Sequence, residues 1–346
     1  MAQINKPSDY FNTVTYTGNG STHSITGVGH QPDWLWIKCR NFANGHALFD
    51  VQRTTYSLST ENTGAEVDRS SDGFTSLDSD GFTLNGSGSG GRVNVSGRTY
   101  ASWNWLASNT TASNTDGSIT STVSANTTSG FSIVSYTGNA TSGATVGHGL
   151  GVAPKMIIVK TRAQTNNWTV YHESIGATKH LHLNTTDQES TATNTFNDTA
   201  PTSSVFTLGS GTETNASGNM IAYCFAEKKG FSKFGKYVGN NNDDGTFVYT
   251  GFKPAFLLIK IIDTQTDNWI MQDNKINTFN SATSQRLRAN SSGAEFSSSN
   301  EIDLLSNGFK VHGADGEING SGASYIYMAF AENPLVGTNN IPATAR

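Results

Sequence analysis

Three nearly continuous apolar runs organise the chain, and each is entered through a glycine and a proline. Gly29 and Pro32 precede Trp34-Leu35-Trp36-Ile37-Lys38. Gly151 and Pro154 precede Met156-Ile157-Ile158-Val159-Lys160, and Gly251 and Pro254 precede Phe256-Leu257-Leu258-Ile259-Lys260. An apolar run of this length between turn residues predicts a strand buried on both faces. The proline falls at the strand's first residue, where no ladder N–H is required. Upstream, Phe11, Val14 and Tyr16 alternate with polar residues and lead into Thr17-Gly18-Asn19. The same pattern returns as Phe131, Val134, Tyr136 and Thr137-Gly138-Asn139, and more loosely at Tyr237-Val238-Gly239-Asn240. Alternation predicts half-buried strands, and Gly-Asn is a hairpin signal.

Further landmarks keep the same order. Asn167-Trp168 matches Asn268-Trp269, with Gly45-His46 at that place in the first copy. Leu58–Glu66 aligns without gaps on Leu287–Glu295, and more weakly on Leu181–Glu189. Phe82, Phe206 and Phe309 follow in related strands, and Asn94, Asn215 and Asn319 each open an Asn-x-Ser-Gly turn before a last apolar strand. Internal repeats with many short strands and no helical period predict an all-β chain of three tandem β-sandwich modules, jelly-roll or lectin-like. Their bounds are 8–109, 128–229 and 230–335. A Ser/Thr/Asn-rich linker occupies 110–127, either extended or laid along a neighbouring subunit, and a polar tail occupies 336–346. With no such linker between them, modules two and three are expected to pack rigidly.

Composition narrows the function classes. Only 14% of residues are charged, but 18 Phe, 11 Tyr and 6 Trp argue for packed cores rather than disorder. The net charge of −5 and scattered Lys and Arg give no electrostatic footprint for nucleic acid. No segment reads as a signal peptide or as a membrane span, so synthesis in a cytoplasm without secretion is expected. Cys39 and Cys224 stand at different positions of different copies, which predicts free buried thiols. No Cys or His pair has zinc-finger spacing, so neither a metal nor another cofactor is expected.

Several motifs together resemble a known family. They are Tyr136-Thr137-Gly138-Asn139, the run Gly147–Lys160, Ile221-Ala222-Tyr223-Cys224-Phe225-Ala226-Glu227, Gly230–Gly235 and Tyr325–Pro334. They look like a repeated domain of unknown function common in virion-associated proteins of marine bacteriophages and cyanophages, where it often sits beside lectin-like sandwiches. The resemblance covers essentially the whole chain. It implies a tailed-phage structural protein on the tail, fibre or capsid surface, and it brings no catalytic residues with it. By analogy with tail fibres and capsid knobs it implies a homo-oligomer, a trimer, in contact with other virion proteins. Relatives carry an aromatic-rich strand where this chain has Trp34 and Trp36.

An active module would repeat its reactive groups at matched positions. Four residues beyond the tryptophan position stand Asp50, His172 and Asp273, with no shared role evident. The densest cluster is His172, Glu173, His180 and His182. His180 and His182 face one side of a strand, but no third ligand is identified, and a surface histidine patch is the expectation. Glu66 with Glu295, and Glu227 with Glu332, are the candidate carboxylates of a depolymerase; rim charges are the plainer reading. Asn242–Gly245 and Asp78–Gly81 have oxygen ligands for calcium, yet read first as hairpin turns. Gly86–Gly91 lacks the lysine and helix of a phosphate loop. Trp34, Trp36, Trp168 and Trp269 are the candidate glycan-stacking residues. The expected function is therefore a non-enzymatic phage virion structural protein, with host-glycan binding the alternative and a polysaccharide depolymerase third.

Overall fold

The structure, a computed structural model, describes residues 3–86, 92–280, 282–299, 302–336 and 344. Most of the Gly86–Gly91 tip and most of the 336–346 tail lie outside the described residues. Strands dominate, joined among the described residues by two three-residue helical turns and two four-residue helices. Cys39 and Cys224 are free and buried.

Three main antiparallel sheets carry the architecture. The first orders Phe11–Thr17, Thr99–Trp105, Trp34–Cys39 and Ala47–Asp50. The second contains Phe131–Thr137, Asn219–Phe225, Met156–Thr161 and Thr169–His172 in the same sequence of neighbours. The third has Ser232–Val238, Ser324–Pro334, Phe252–Ile261 and Trp269–Asp273. In each, the first strand pairs with the last. The Gly-Asn turns therefore do not close hairpins, contrary to the sequence expectation. After each turn the chain crosses to a small sheet, in which His23–Thr26 pairs with Gly81–Leu84, Thr145–Gly147 with Val205–Thr207, and Phe247–Tyr249 with Gly308–Val311. The crossing is braced by the buried Asn of the Asn-x-Ser-Gly turn. Asn94, Asn215 and Asn319 accept the backbone N–H of Asn19, Asn139 and Asn240 at 3.0, 2.8 and 3.0 Å.

The prolines also shift slightly from expectation. Pro32 and Pro154 stand two residues ahead of their strands, while Pro254 lies inside Phe252–Ile261 at a register shift, where the missing donor breaks no regular ladder. The supposed linker is structural. Ala112–Asn114 and Ser121–Asn126 extend the second main sheet beyond Phe131–Thr137.

Strand alternation sends each main sheet's side chains to two cores. Leu35 and Ile37 pack under the first small sheet with Phe82 and Leu84. Ile157 and Val159 do the same in the second segment, and Leu257 and Ile259 in the third. The opposite faces meet in one shared core: Trp34, Trp36, Trp103 and Trp105 with Met156, Ile158, Tyr223 and Phe225, and with Phe256, Leu258, Met328 and Phe330. Trp34 stacks on Tyr223 at 4.6 Å, Trp105 meets Phe256 at 5.7 Å, and Phe225 meets Phe330 at 6.1 Å between ring centroids. The first segment thus shares one core with the second and the third, although the sequence predicts an extended linker between the first and second.

The seams between segments repeat cyclically. The loop 58–66 of the first segment lies on the second, 181–189 on the third, and 287–295 back on the first. At matching places the Glu66, Glu189 and Glu295 N–H groups donate to the carbonyls of Arg162, Ile262 and Arg40. The indoles of Trp168 and Trp269 donate to the Ser59 and His182 carbonyls, both at 2.9 Å. His46 stands in for the third indole and reaches the Arg288 carbonyl at 3.1 Å, while its Nδ1 accepts from Trp36 Nε1. Those bonds assign His46 as neutral with its proton on Nε2. Burial pushes it down to about 3.

The lysines that end the three apolar strands are fully buried. Each ammonium donates to a carbonyl of the loop laid on it: Lys38 to Ser292, Lys160 to Thr63, Lys260 to Thr186. Burial pulls all three down to about 8. An unfolded lysine titrates near 10.5, so the folded state pays for the charge fully below pH 8 and the cost shrinks as pH rises toward 10.5. Burial alone moves Lys160, which makes it the cleanest case. Between pH 8 and 9 the native protein is expected to gain about 1 kcal/mol over a Lys160→Met variant. Urea titrations at the two pH values measure this, and taking the difference cancels thiol and tyrosine ionisation. Parallel curves would show that the ammonium is solvated.

Candidate functional site

The four tryptophans expected to stack on sugars are buried. Trp34, Trp36, Trp168 and Trp269 are each at most 1% exposed and belong to the shared core. Their ring faces are covered by other aromatic and aliphatic side chains, which leaves no face for a pyranose in this fold.

Asp50, His172 and Asp273, which had no evident common role, share one. Each is fully buried and caps its own turn. Asp50 accepts the Gln52 and Arg53 N–H groups, His172 Nδ1 that of Ser174, and Asp273 those of Lys275 and Ile276. Each also reaches the next segment in the ring. Asp50 accepts from Tyr223 Oη at 2.7 Å, His172 Nε2 lies 3.3 Å from the Tyr327 carbonyl, and Asp273 accepts from Trp103 Nε1 at 2.9 Å. Burial raises the Asp273 carboxyl and lowers His172 to about 4.

Two of the candidate hydrolytic carboxylates, Glu66 and Glu295, are seam residues as well. Glu66 binds Arg162 bidentately at 2.9 and 3.0 Å, and Glu295 binds Arg40 at 2.7 and 3.3 Å. Glu227 pairs with Lys233 and Glu332 with Lys253. A carboxylate fixed by a guanidinium is a locked anion rather than a proton donor. In the candidate calcium loops, Asp244 pairs with Lys310, Asp78 accepts from Ser76 and Thr83, and Asp80 accepts the Gly27 and Gly29 amides.

The histidine cluster divides. His172 is held in the seam just described and Glu173 pairs with Lys155. His180 and His182 alternate with Leu181 along Lys179–His182. Leu181 enters the shared core while both imidazoles turn away from it, their centroids 4.9 Å apart. The structure adds the third group that the sequence did not identify. Glu213, on the short helix Thr212–Asn215, comes within 3.0 Å of His182 Nε2. His180, His182 and Glu213 offer ligand atoms within 4.8 Å of one another. Burial pushes the Glu213 carboxyl up, but hydrogen bonds from His182, Asn167 and Thr169 outweigh it and hold the group at about 2. A signal for Glu213 was present in the sequence. It stands two residues before Asn215, as Glu317 stands two before Asn319.

With this geometry in view, a family profile described as a domain of unknown function, DUF7483, matches residues 6–334. The chain belongs to the DUF7483 family. No curated protein and no solved structure matches the chain. The DUF7483 match takes in all three main sheets at once, as a shared core requires of a folding unit.

The surface of this DUF7483 domain is where a macromolecule can be met, and its exposed aromatics are not those singled out by sequence. They include Phe42, Tyr56, Phe247, Tyr249 and Phe279. Phe42 lies under the Arg98 guanidinium, 3.7 Å from it. Tyr249, 58% exposed, lines an open cleft of about 480 Å³ with Val152, Lys155, Lys229 and Lys233. No helix among the described residues is long and apolar enough to cross a membrane.

Proposed function

We propose that this chain is a bacteriophage virion structural protein, a tail- or fibre-like part or a capsid-surface decoration, made of three tandem β-sandwich modules of jelly-roll or lectin-like plan. The observation behind this reading is the cyclic seam. Three sheets with one strand order bury one core and clasp each other first to second, second to third, third to first. Residues at matched positions serve that closure rather than a reaction, which favours a building block over an enzyme. Because the inner faces are already covered, a homo-oligomer or a contact with other virion proteins would form through the outer surface. The protein would be made in the host cytoplasm and end in the particle, without nucleic-acid binding or membrane insertion. Immunogold labelling of intact particles tests this. Regular label on head or tail is the expected result, and antigen found only in the soluble lysate would refute it.

A second reading, a host-glycan adsorption protein, rests on Tyr249 beside its cleft. An exposed ring beside a concave, largely apolar wall with lysines among its residues is suited to stack on a sugar. Tyr249→Ala is then expected to reduce cell or glycan-array binding about tenfold or more while leaving the melting temperature unchanged, since an exposed ring contributes about 0.5 kcal/mol or less to stability. Equal binding by the variant and the native chain would remove this reading.

A further inference from the structure

The three segments answer the same local problem differently at the strand that follows the seam. In the third, Arg286 and Arg288 stand where the second has His180 and His182, and Glu317 stands where it has Glu213. There each guanidinium has its own carboxylate, Arg286 with Asp315 and Arg288 with Glu317. In the first segment the corresponding residues are Ser57, Ser59 and Arg92, without a carboxylate at the Glu213 position.

His182 and Glu213 alone could be a copy of the Arg288–Glu317 ion pair. His180 does not fit that account. Gly211 occupies the place of Asp315, so the second segment has no separate carboxylate for it. His180 is 5% exposed, and its Nδ1 is buried with no hydrogen-bond partner. Across the strand pair His180 faces Ser190, and a neutral ring protonated on Nε2 is the tautomer that puts no N–H on the unpartnered Nδ1. Such a tautomer leaves a lone pair on Nδ1.

We propose that His180, His182 and Glu213 form a binding site for one divalent transition-metal ion of zinc type, completed by water. Two imidazoles and one carboxylate are a borderline donor set that suits Zn²⁺ over Ca²⁺ or Mg²⁺. The atoms lie within 4.8 Å of one another, and bonds of about 2.0–2.2 Å bring them together with small side-chain adjustments. His182 and Glu213 are partly exposed, which gives the ion a way in. Asn167 and Thr169 hold the carboxylate from behind. The ion would tie Lys179–His182 to Thr212–Asn215, next to the His182 carbonyl that receives the Trp269 indole, and so would brace the seam between the second and third segments.

The test uses the untagged chain, stripped with chelator and titrated with ZnCl₂ by calorimetry, with Co²⁺ absorption as a second readout. One ion per chain is expected, together with a cobalt d–d band of a four- or five-coordinate centre. His180→Ala leaves the His182–Glu213 pair in place, so its fold can be confirmed by circular dichroism. It is expected to weaken zinc binding about tenfold or more, since even an outer partner is worth roughly that much. Glu213→Gln is expected to do the same. Absence of saturable binding, or binding unchanged in both folded variants, would overturn the proposal and leave a plain imidazole–carboxylate pair.

Discussion

Trp34→Ala is expected to destabilise the entire chain by about 3–5 kcal/mol, the range for emptying a large aromatic site in a core. Trp34 is 1% exposed, stacked on Tyr223 at 4.6 Å and against Trp105 at 4.5 Å, with Phe131 and Phe225 each at 5.8 Å. Those rings come from two segments, so a cavity at Trp34 loosens both. The indole also contributes packing only, because its N–H has no partner among the described groups. The form of the transition matters as much as its midpoint. One core predicts one cooperative transition, with far-ultraviolet circular dichroism and tryptophan fluorescence coinciding in urea. A variant that shifted one of two resolved transitions would show three sandwiches that merely touch.

The second large effect is expected at Asp50. Its carboxylate meets Arg53 Nε at 2.6 Å, and both side chains are fully buried. The guanidinium also donates to the Leu48 carbonyl, the Tyr56 carbonyl and Tyr223 Oη. Asp50→Ala strands a buried cation, with Glu66 next at 4.0 Å, and is expected to cost about 3–5 kcal/mol. Asp50→Ala with Arg53→Met removes both charges and is expected to recover more than half of that loss. The comparison is a urea double-mutant cycle. If the double variant is no more stable than the single, the cost lies in the lost turn cap at Gln52 and Arg53 and not in the stranded charge.

Much of the architecture could be read from the chain. The apolar runs ending at Lys38, Lys160 and Lys260 are strands buried on both faces, and the Asn-x-Ser-Gly motifs are turns. What could not be read is how one segment meets the next. Aligning the segments puts Asp50 on His172 and Asp273, and His46 on Trp168 and Trp269, one above the other. The partner of each lies in a different segment, and an alignment that superposes the segments hides every contact running between them. Trp34 and Trp36 show the same blindness. Two rings facing one side of a strand are equally consistent with an open sugar platform and with a closed interface, and only the other two sheets decide. Glu213 was missed because it arrives from a helix of four residues too short to leave a periodic signal. The Gly18-Asn19 turn misled for a related reason, since its closing partner Asn94 is remote in sequence.

The three loops that lock the ring are not equally equipped. Glu66 and Glu295 hold arginines across their seams, whereas Glu189 meets Ile262 and pairs with Lys179 of its own segment instead. The weaker clasp is the one between segments that follow each other directly in the chain. The clasp from third to first must be made by parts of the polypeptide synthesised far apart. At roughly 5–20 residues per second, on the order of ten seconds separates the appearance of Trp105 from that of Phe256, its partner in the centre. Over that interval Trp103 and Trp105 wait for the ring that closes on them, so the order of translation, more than the strength of any finished contact, sets when this protein is most exposed to misassembly.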